Sequence, residues 1–167
     1  MRDLTRANIK RPAYLVLEEM GVECFTPKTK KLFVVRGKRE LREVPFIHDL
    51  LFIYDTRKKV DSIVDQINTL QYRFLRNTSR TPMTIRKREM EQFIKAAEKS
   101  EHPLFYKPNE VTPEMCKRKI RIIGGSFDGY IGVLLTTRGS KVKRLLVELP
   151  MLIAVSVEVK PEYIQLL

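Results

Sequence analysis

Ala13, Val16, Leu17 and Met20 recur at i, i+3, i+4 and i+7, the spacing of one buried face of a helix. Gly21 follows where a left-handed C-terminal cap belongs. The start of this helix stays open, because Pro12 fits a first turn but kinks an interior. Val22-Glu23-Cys24-Phe25 then leads into Lys31-Leu32-Phe33-Val34-Val35, the Arg36-Gly37-Lys38 turn and a second run over 39–44. Two β-favouring runs divided by a glycine turn predict a hairpin. The almost unbroken apolar run 50–54 predicts a central strand. Asp55 or Thr56 is placed to cap a second helix whose stripe is Val60, Ile63, Val64 and Ile67. Residues 72–76 alternate like a strand, and Met90, Phe93, Ile94 and Ala97 mark a third helix.

Between 100 and 114 the periodicity lapses, and Pro103, Pro108 and Pro113 mark a linker. After it, five of the seven glycines fall within 124–139, among five short strand-like runs at 119–123, 131–136, 144–149, 153–159 and 163–166. Such a texture predicts a small barrel. The expected architecture is α+β: an antiparallel sheet with packed helices over 1–100, a linker over 101–115, and a small all-β, SH3-like barrel over 116–167.

Composition narrows the function classes. With 43 % hydrophobic and 31 % charged residues, the 167-residue chain suits a folded protein. No apolar run approaches the roughly 20 residues that span a bilayer, so no membrane association is expected. The opening Met1-Arg2-Asp3-Leu4-Thr5-Arg6 lacks a signal-peptide core, which makes the cytoplasm the expected compartment. Cys24 and Cys116 have no Cys or His at ligand spacing, so neither a metal nor a cofactor is expected. His48 and Asp49 are neighbours that point to opposite faces of a strand, and no activated Ser or Cys motif accompanies them; no catalytic residue is expected. The net charge of +12 is spread over both halves: 23 basic against 15 acidic groups in 1–110, and 9 against 5 in 111–167. That balance favours polyanionic partners.

The glycine cluster Gly124-Gly125-Ser126-Phe127-Asp128-Gly129-Tyr130-Ile131-Gly132 invites a phosphate-loop reading, which fails on context. It lacks a Gly-Lys-Ser/Thr ending, and a strand rather than a helix follows, so no helix N-terminus faces a phosphate. Gly124, Gly125, Gly129 and Gly132 instead suit tight reversals between barrel strands, with Phe127 closing one end of the core. Preceded by Lys119-Ile120-Arg121-Ile122-Ile123, this segment resembles the KOW motif. Ahead of it come a helix, Gly21-Val22-Glu23-Cys24-Phe25-Thr26-Pro27, a basic hairpin, and Val44-Pro45-Phe46-Ile47 before Leu51-Phe52-Ile53; this order resembles the N-terminal (NGN) domain of the NusG transcription factors. The resemblance covers almost the whole chain and is nearest to the specialised RfaH- and UpxY-type antiterminators.

That resemblance implies a non-enzymatic elongation or antitermination factor that suppresses pausing or termination at selected operons. It implies an apolar surface for RNA polymerase at Tyr14, Phe46, Ile47, Leu50 and Phe52, although alternation also suits Phe52 to the core. The hairpin cations Lys28, Lys30, Lys31, Arg36, Lys38, Arg39 and Arg42 are outnumbering neighbours of Glu40, and with Arg73 and Arg76 they are candidates for contacting non-template DNA or the upstream duplex. Lysine-rich edges also occur simply as protection against strand pairing, and Tyr72, Arg73 and Arg76 also suit ordinary strand positions. The KOW domain would recruit a ribosomal protein or a termination factor. Rival expectations are an RNA-binding KOW protein of ribosomal kind and a two-domain scaffold with incidental charge. Two departures stand out. The family domain opens with an aromatic-rich strand that should already be ending at Met1-Arg2-Asp3, so either the chain is trimmed or the sheet closes without that strand. His48-Asp49-Leu50 also stands where the family tends to have Pro-Gly-Tyr.

Overall fold

The protein was analysed as a computed structural model that describes residues 1–5, 11–75, 80–113, 115–135 and 140–167, with the backbone alone of Lys117. The chain forms two compact units, Met1–Thr84 and Ile85–Leu167.

In the first unit, β1 (Arg2–Asp3) precedes α1 (Ala13–Glu19). Pro12 settles the helix start by standing just outside it in an extended conformation, with no side chain to cap the free N–H groups. Asp3 supplies the cap from a distance: buried, it accepts hydrogen bonds at 2.9 Å from the Ala13 and Thr5 amides. Gly21 has a φ of 70°, so the chain leaves the helix through the left-handed region that favours glycine. Next come β2 (Cys24–Phe25), β3 (Lys28–Val35), β4 (Lys38–Pro45), β5 (Phe52–Ile53), α2 (Arg57–Gln66) and β6 (Leu70–Gln71). Three antiparallel pairs result: β1 with β6, β2 with β5, and β3 with β4. Ala13, Leu17, Leu51, Ile63 and Leu70 form the centre, with Tyr14, Val22, Cys24 and Ile53 packed around it.

The structure differs from the sequence pattern at three points in this unit. The apolar run 50–54 gives only the two-residue β5, because the Leu50 amide turns back to the Ile47 carbonyl and its own carbonyl accepts from Thr26 Oγ1. Thr56 occupies the N-cap of α2 without a side-chain bond to it. The alternating 72–76 segment contributes a single bridge, Phe74 to Pro82, and its Arg76 lies outside the described residues.

The second unit begins with α3 (Lys87–Lys99) and β7 (Leu104–Tyr106). It continues through β8 (Cys116–Ile122), β9 (Ile131–Leu135), β10 (Lys143–Leu149), β11 (Ile153–Val159) and β12 (Ile164–Leu166). The strands form one antiparallel sheet in the order β12-β8-β9-β10-β11-β7. Together the two units give the expected class: a mixed α+β first part followed by an all-antiparallel second part.

Two segments are placed differently from their expected roles. The helix assigned to the first domain lies in the second unit, and the linker supplies β7, which pairs with the edge of β11. Burial accounts for both. Strands β10 and β11 are buried along nearly their whole length, which requires cover on both faces. By alternation Leu145, Val155 and Phe105 share one face, and α3 packs there with Phe93 fully buried, its ring 6.4 Å from that of Phe105. On the other face Leu135, Leu146 and Ala154 form a cluster with Tyr106, Val111, Met115 and Cys116. Residues 101–115 therefore carry packing side chains as well as the three prolines.

Among the described residues no helix is long and apolar enough to cross a membrane.

Candidate nucleic-acid and partner surfaces

The β3–β4 hairpin pairs Lys28 with Pro45 through to Val35 with Lys38. Arg36 and Gly37 make its two-residue turn with φ of 50° and 77°, the positive values that match the twist of a tight hairpin. From Lys30 to Glu43 every residue except Val35 is exposed, so both faces of the ribbon meet solvent. The register divides the candidate cations. Lys31, Arg42 and Lys38 share one face with Phe33 and Glu40; Lys30 and Arg39 share the other with Leu32, Val34, Leu41 and Glu43. Arg36 sits on the turn. Arg42 is engaged by Glu40, with Nε at 3.0 Å from its carboxylate, and its guanidinium lies 5.8 Å from the Phe33 ring centre. Lys30, Lys31, Arg36, Lys38 and Arg39 make no ion pair among the described residues, which leaves the turn end the more available cationic region.

Charge counting misses the apolar component of this hairpin. Leu32, Val34 and Leu41 are 60 %, 69 % and 63 % exposed, and Leu32 faces Leu41 across the strands. The signal in sequence was the coincidence of apolar residues on both arms; that no core covers them is visible only in three dimensions.

Arg73 and Tyr72 are drawn inward instead. Arg73 Nη2 lies 3.0 Å from Asp49 Oδ2, and Nε donates to the Met1 carbonyl at 3.3 Å. It therefore ties β1 to the 46–50 loop, and its guanidinium is not offered to a phosphate. Tyr72 donates its hydroxyl to Asp61 at 2.6 Å while the Arg57 guanidinium covers its ring at 4.6 Å. Burial, followed by the bond to Asp61, pushes the Tyr72 phenol up to about 12. The Asp61 carboxyl is lowered by the Tyr72 and Arg57 hydrogen bonds.

The residues expected to face polymerase are linked through β2. Tyr14 on α1 is half-buried; its carbonyl lies 3.7 Å from Cys24 Sγ, and Lys28 Nζ sits 4.8 Å above its ring centre. Cys24 stands opposite Ile53, and Phe25 opposite Phe52 with ring centres 6.4 Å apart. The Phe46 amide donates to the Pro27 carbonyl at 2.8 Å, which anchors the 46–50 loop beside this strand pair. Tyr14, Phe46, Ile47 and Phe52 keep partial exposure. Leu50 is only 2 % exposed, so it supports the loop from beneath and has little side chain to offer a partner.

The glycine cluster has four separable roles. Gly124, Gly125 and Gly129 adopt φ of 124°, 70° and 77°. The Tyr163 ring lies so close to Gly124 and Gly125 that a Cβ on either would meet it at 3.1 Å. Gly132 lacks positive φ and is required by proximity alone: its Cβ would fall 2.3 Å from the Leu146 carbonyl oxygen. Phe127 is buried, edge-on to Tyr130 at 5.6 Å between ring centres, as a plug for the core.

No curated protein matches the chain. Residues 5–94, more than half of it, match the family model described as transcription termination factor NusG, a span that covers the hairpin and the apolar surface and ends within α3. The chain therefore belongs to the NusG family of non-enzymatic transcription factors, which bind RNA polymerase.

Proposed function

We propose that this protein is a specialised elongation factor that suppresses pausing or termination at selected operons, in the manner of the RfaH- and UpxY-type antiterminators. The supporting observation is the solvated hairpin, whose turn end carries on both faces cations that make no ion pair among the described residues. In this reading Tyr14, Phe46, Ile47 and Phe52 receive an apolar element of polymerase, while Arg36, Lys38 and Arg39 lie along non-template DNA or the upstream duplex. Phosphate contacts of this kind hold position and register and carry little sequence information. The factor shifts the enzyme toward its elongating state to the extent that it binds that state more tightly than the paused one. The NGN-like part binds polymerase, and the KOW-like barrel recruits a ribosomal protein or a termination factor. The work is cytoplasmic.

Single-round transcription with purified polymerase on a leader that pauses tests the proposal. The full chain should raise readthrough, and the triple variant R36Q/K38Q/R39Q should lose most of that effect while melting at the wild-type temperature. Unchanged readthrough with wild-type protein would refute the role. Equal readthrough by the triple variant would refute the hairpin contact.

A further inference from the structure

The second unit contains a cleft of about 610 Å³ with no place in the function proposed above. The end of α3, the glycine turn, the start of β10 and the segment after β11 enclose it. Lys99, Lys141, Lys143 and Lys160 arrive from three separate parts of the chain to line it, all exposed and none in an ion pair among the described residues. Its acids are Glu101 and Glu158. Glu158 is already held by the buried Arg144, with Nη1 2.8 Å from its carboxylate, so the lining keeps a net excess of positive charge. Tyr163 contributes a half-buried ring, seated against Gly124 and Gly125.

We propose that this cleft binds a single-stranded nucleic-acid segment, with lysines on successive phosphates and Tyr163 against a base or sugar. Four lysines and the Tyr163 ring in the lining of one cleft suit a flexible phosphodiester chain, for which a charged groove and a stacking platform are the two general requirements. A cleft of this size admits a nucleotide or two and excludes a duplex. The glycines have a part in this site: a side chain at either position would push Tyr163 away. The site lies on a different unit from the hairpin and does not depend on the hairpin's role.

Fluorescence anisotropy with labelled single-stranded 12-nucleotide RNA and DNA of one sequence tests it. The full chain is used in an R36Q/K38Q/R39Q background, so that hairpin binding does not contribute. Adding K99Q/K141Q/K143Q/K160Q should weaken binding at least tenfold and flatten the dependence on salt by about 2–3 in log–log slope, since each phosphate contact on a single strand contributes roughly 0.7. Tighter binding of RNA would assign the cleft to the transcript; equal or tighter binding of DNA would assign it to a displaced DNA strand, and both support the site. A change of less than twofold would overturn it. So would an equal loss from K107Q/R118Q/K119Q/R121Q, which removes the same charge elsewhere on the unit. Displacement of the oligonucleotide by a glutamate-rich peptide of matching charge and affinity would identify an acidic protein segment as the occupant and overturn the nucleic-acid assignment.

Discussion

Gly132→Ala is the most severe test of the packing within the six-stranded sheet. Gly132 lies opposite Ile120 on β8, and its other side is pressed against β10. The added methyl group would stand 2.3 Å from the Leu146 carbonyl oxygen and 2.7 Å from Leu145 Cδ1. Leu145 is fully buried, and the oxygen is backbone. Relief therefore requires β9 to draw away from β10 by about an ångström, since a carbon and an oxygen ordinarily approach no closer than the 3.0–3.4 Å of a tight contact. That movement strains the pairing of Leu146 with Val133 and Leu145 with Leu134. Overpacking costs about 1–3 kcal/mol, and each weakened ladder hydrogen bond adds about 1 kcal/mol, for a total on the order of 3–5 kcal/mol. Against a usual stability of about 5–15 kcal/mol this is a large loss.

Gly129→Ala provides the comparison. Its φ of 77° imposes backbone strain, but nothing lies within 4 Å of the new Cβ, so the cost should be about 1–2 kcal/mol. Calorimetric melts of the full chain should show the transition of the second unit falling by roughly 12–40 °C for Gly132→Ala, and by less than half of that for Gly129→Ala. Hydrogen exchange at the Leu145 and Leu146 amides assigns the loss to β10. If Gly132→Ala melts at or above Gly129→Ala, the close approach of β9 to β10 is incorrect.

Other predictions follow from single contacts. Asp3→Ala frees two buried amides and should cost the first unit about 2–3 kcal/mol by urea denaturation, with Asp3→Asn less harmful because its oxygen still accepts. Arg144 is 8 % exposed and donates to Ser156, Glu158 and the His102 carbonyl; Arg144→Met should cost about 3 kcal/mol and speed amide exchange over 100–103. The Tyr130 hydroxyl is buried without a partner among the described residues, so Tyr130→Phe should be neutral or stabilising by up to about 1 kcal/mol; a loss above that would reveal a bonded hydroxyl. Because the Tyr72 phenol is raised to about 12, its bond to Asp61 stabilises the first unit fully below the ordinary tyrosine value near 10 and is lost as pH rises through 12. Carbon NMR titration should find that midpoint in wild type and a lower one in Asp61→Asn.

What could be read in the sequence was local or motif-bound. Gly21 marks the end of α1 because few other residues accept its φ, and Arg36-Gly37 marks the hairpin turn for the same reason. The glycine cluster was legible as a turn, yet the requirement at Gly132 was not, since it comes from a β10 carbonyl fourteen residues along the chain. The place of α3 was hidden for a related reason. Its buried stripe shows that it must cover something apolar, but the stripe is equally compatible with either unit, and only the double burial of β10 and β11 decides the matter.

The hairpin shows the same limit at the candidate site, with a consequence for function. As a string, residues 28–42 read as seven cations against Glu40. Folded, strict alternation sorts them onto two faces, engages Arg42 with Glu40, and sets Leu32, Val34 and Leu41 beside Arg39. A ribbon built only to repel neighbouring strands would gain nothing from three exposed aliphatic side chains, which favour association. Their presence next to cations that make no ion pair among the described residues argues for a surface that touches an apolar group and a phosphate together. Leu32→Ser/Leu41→Ser should then reduce readthrough without lowering the melting temperature, since neither side chain is buried. Full readthrough by that variant would return the patch to incidental exposure and leave the cations to act alone.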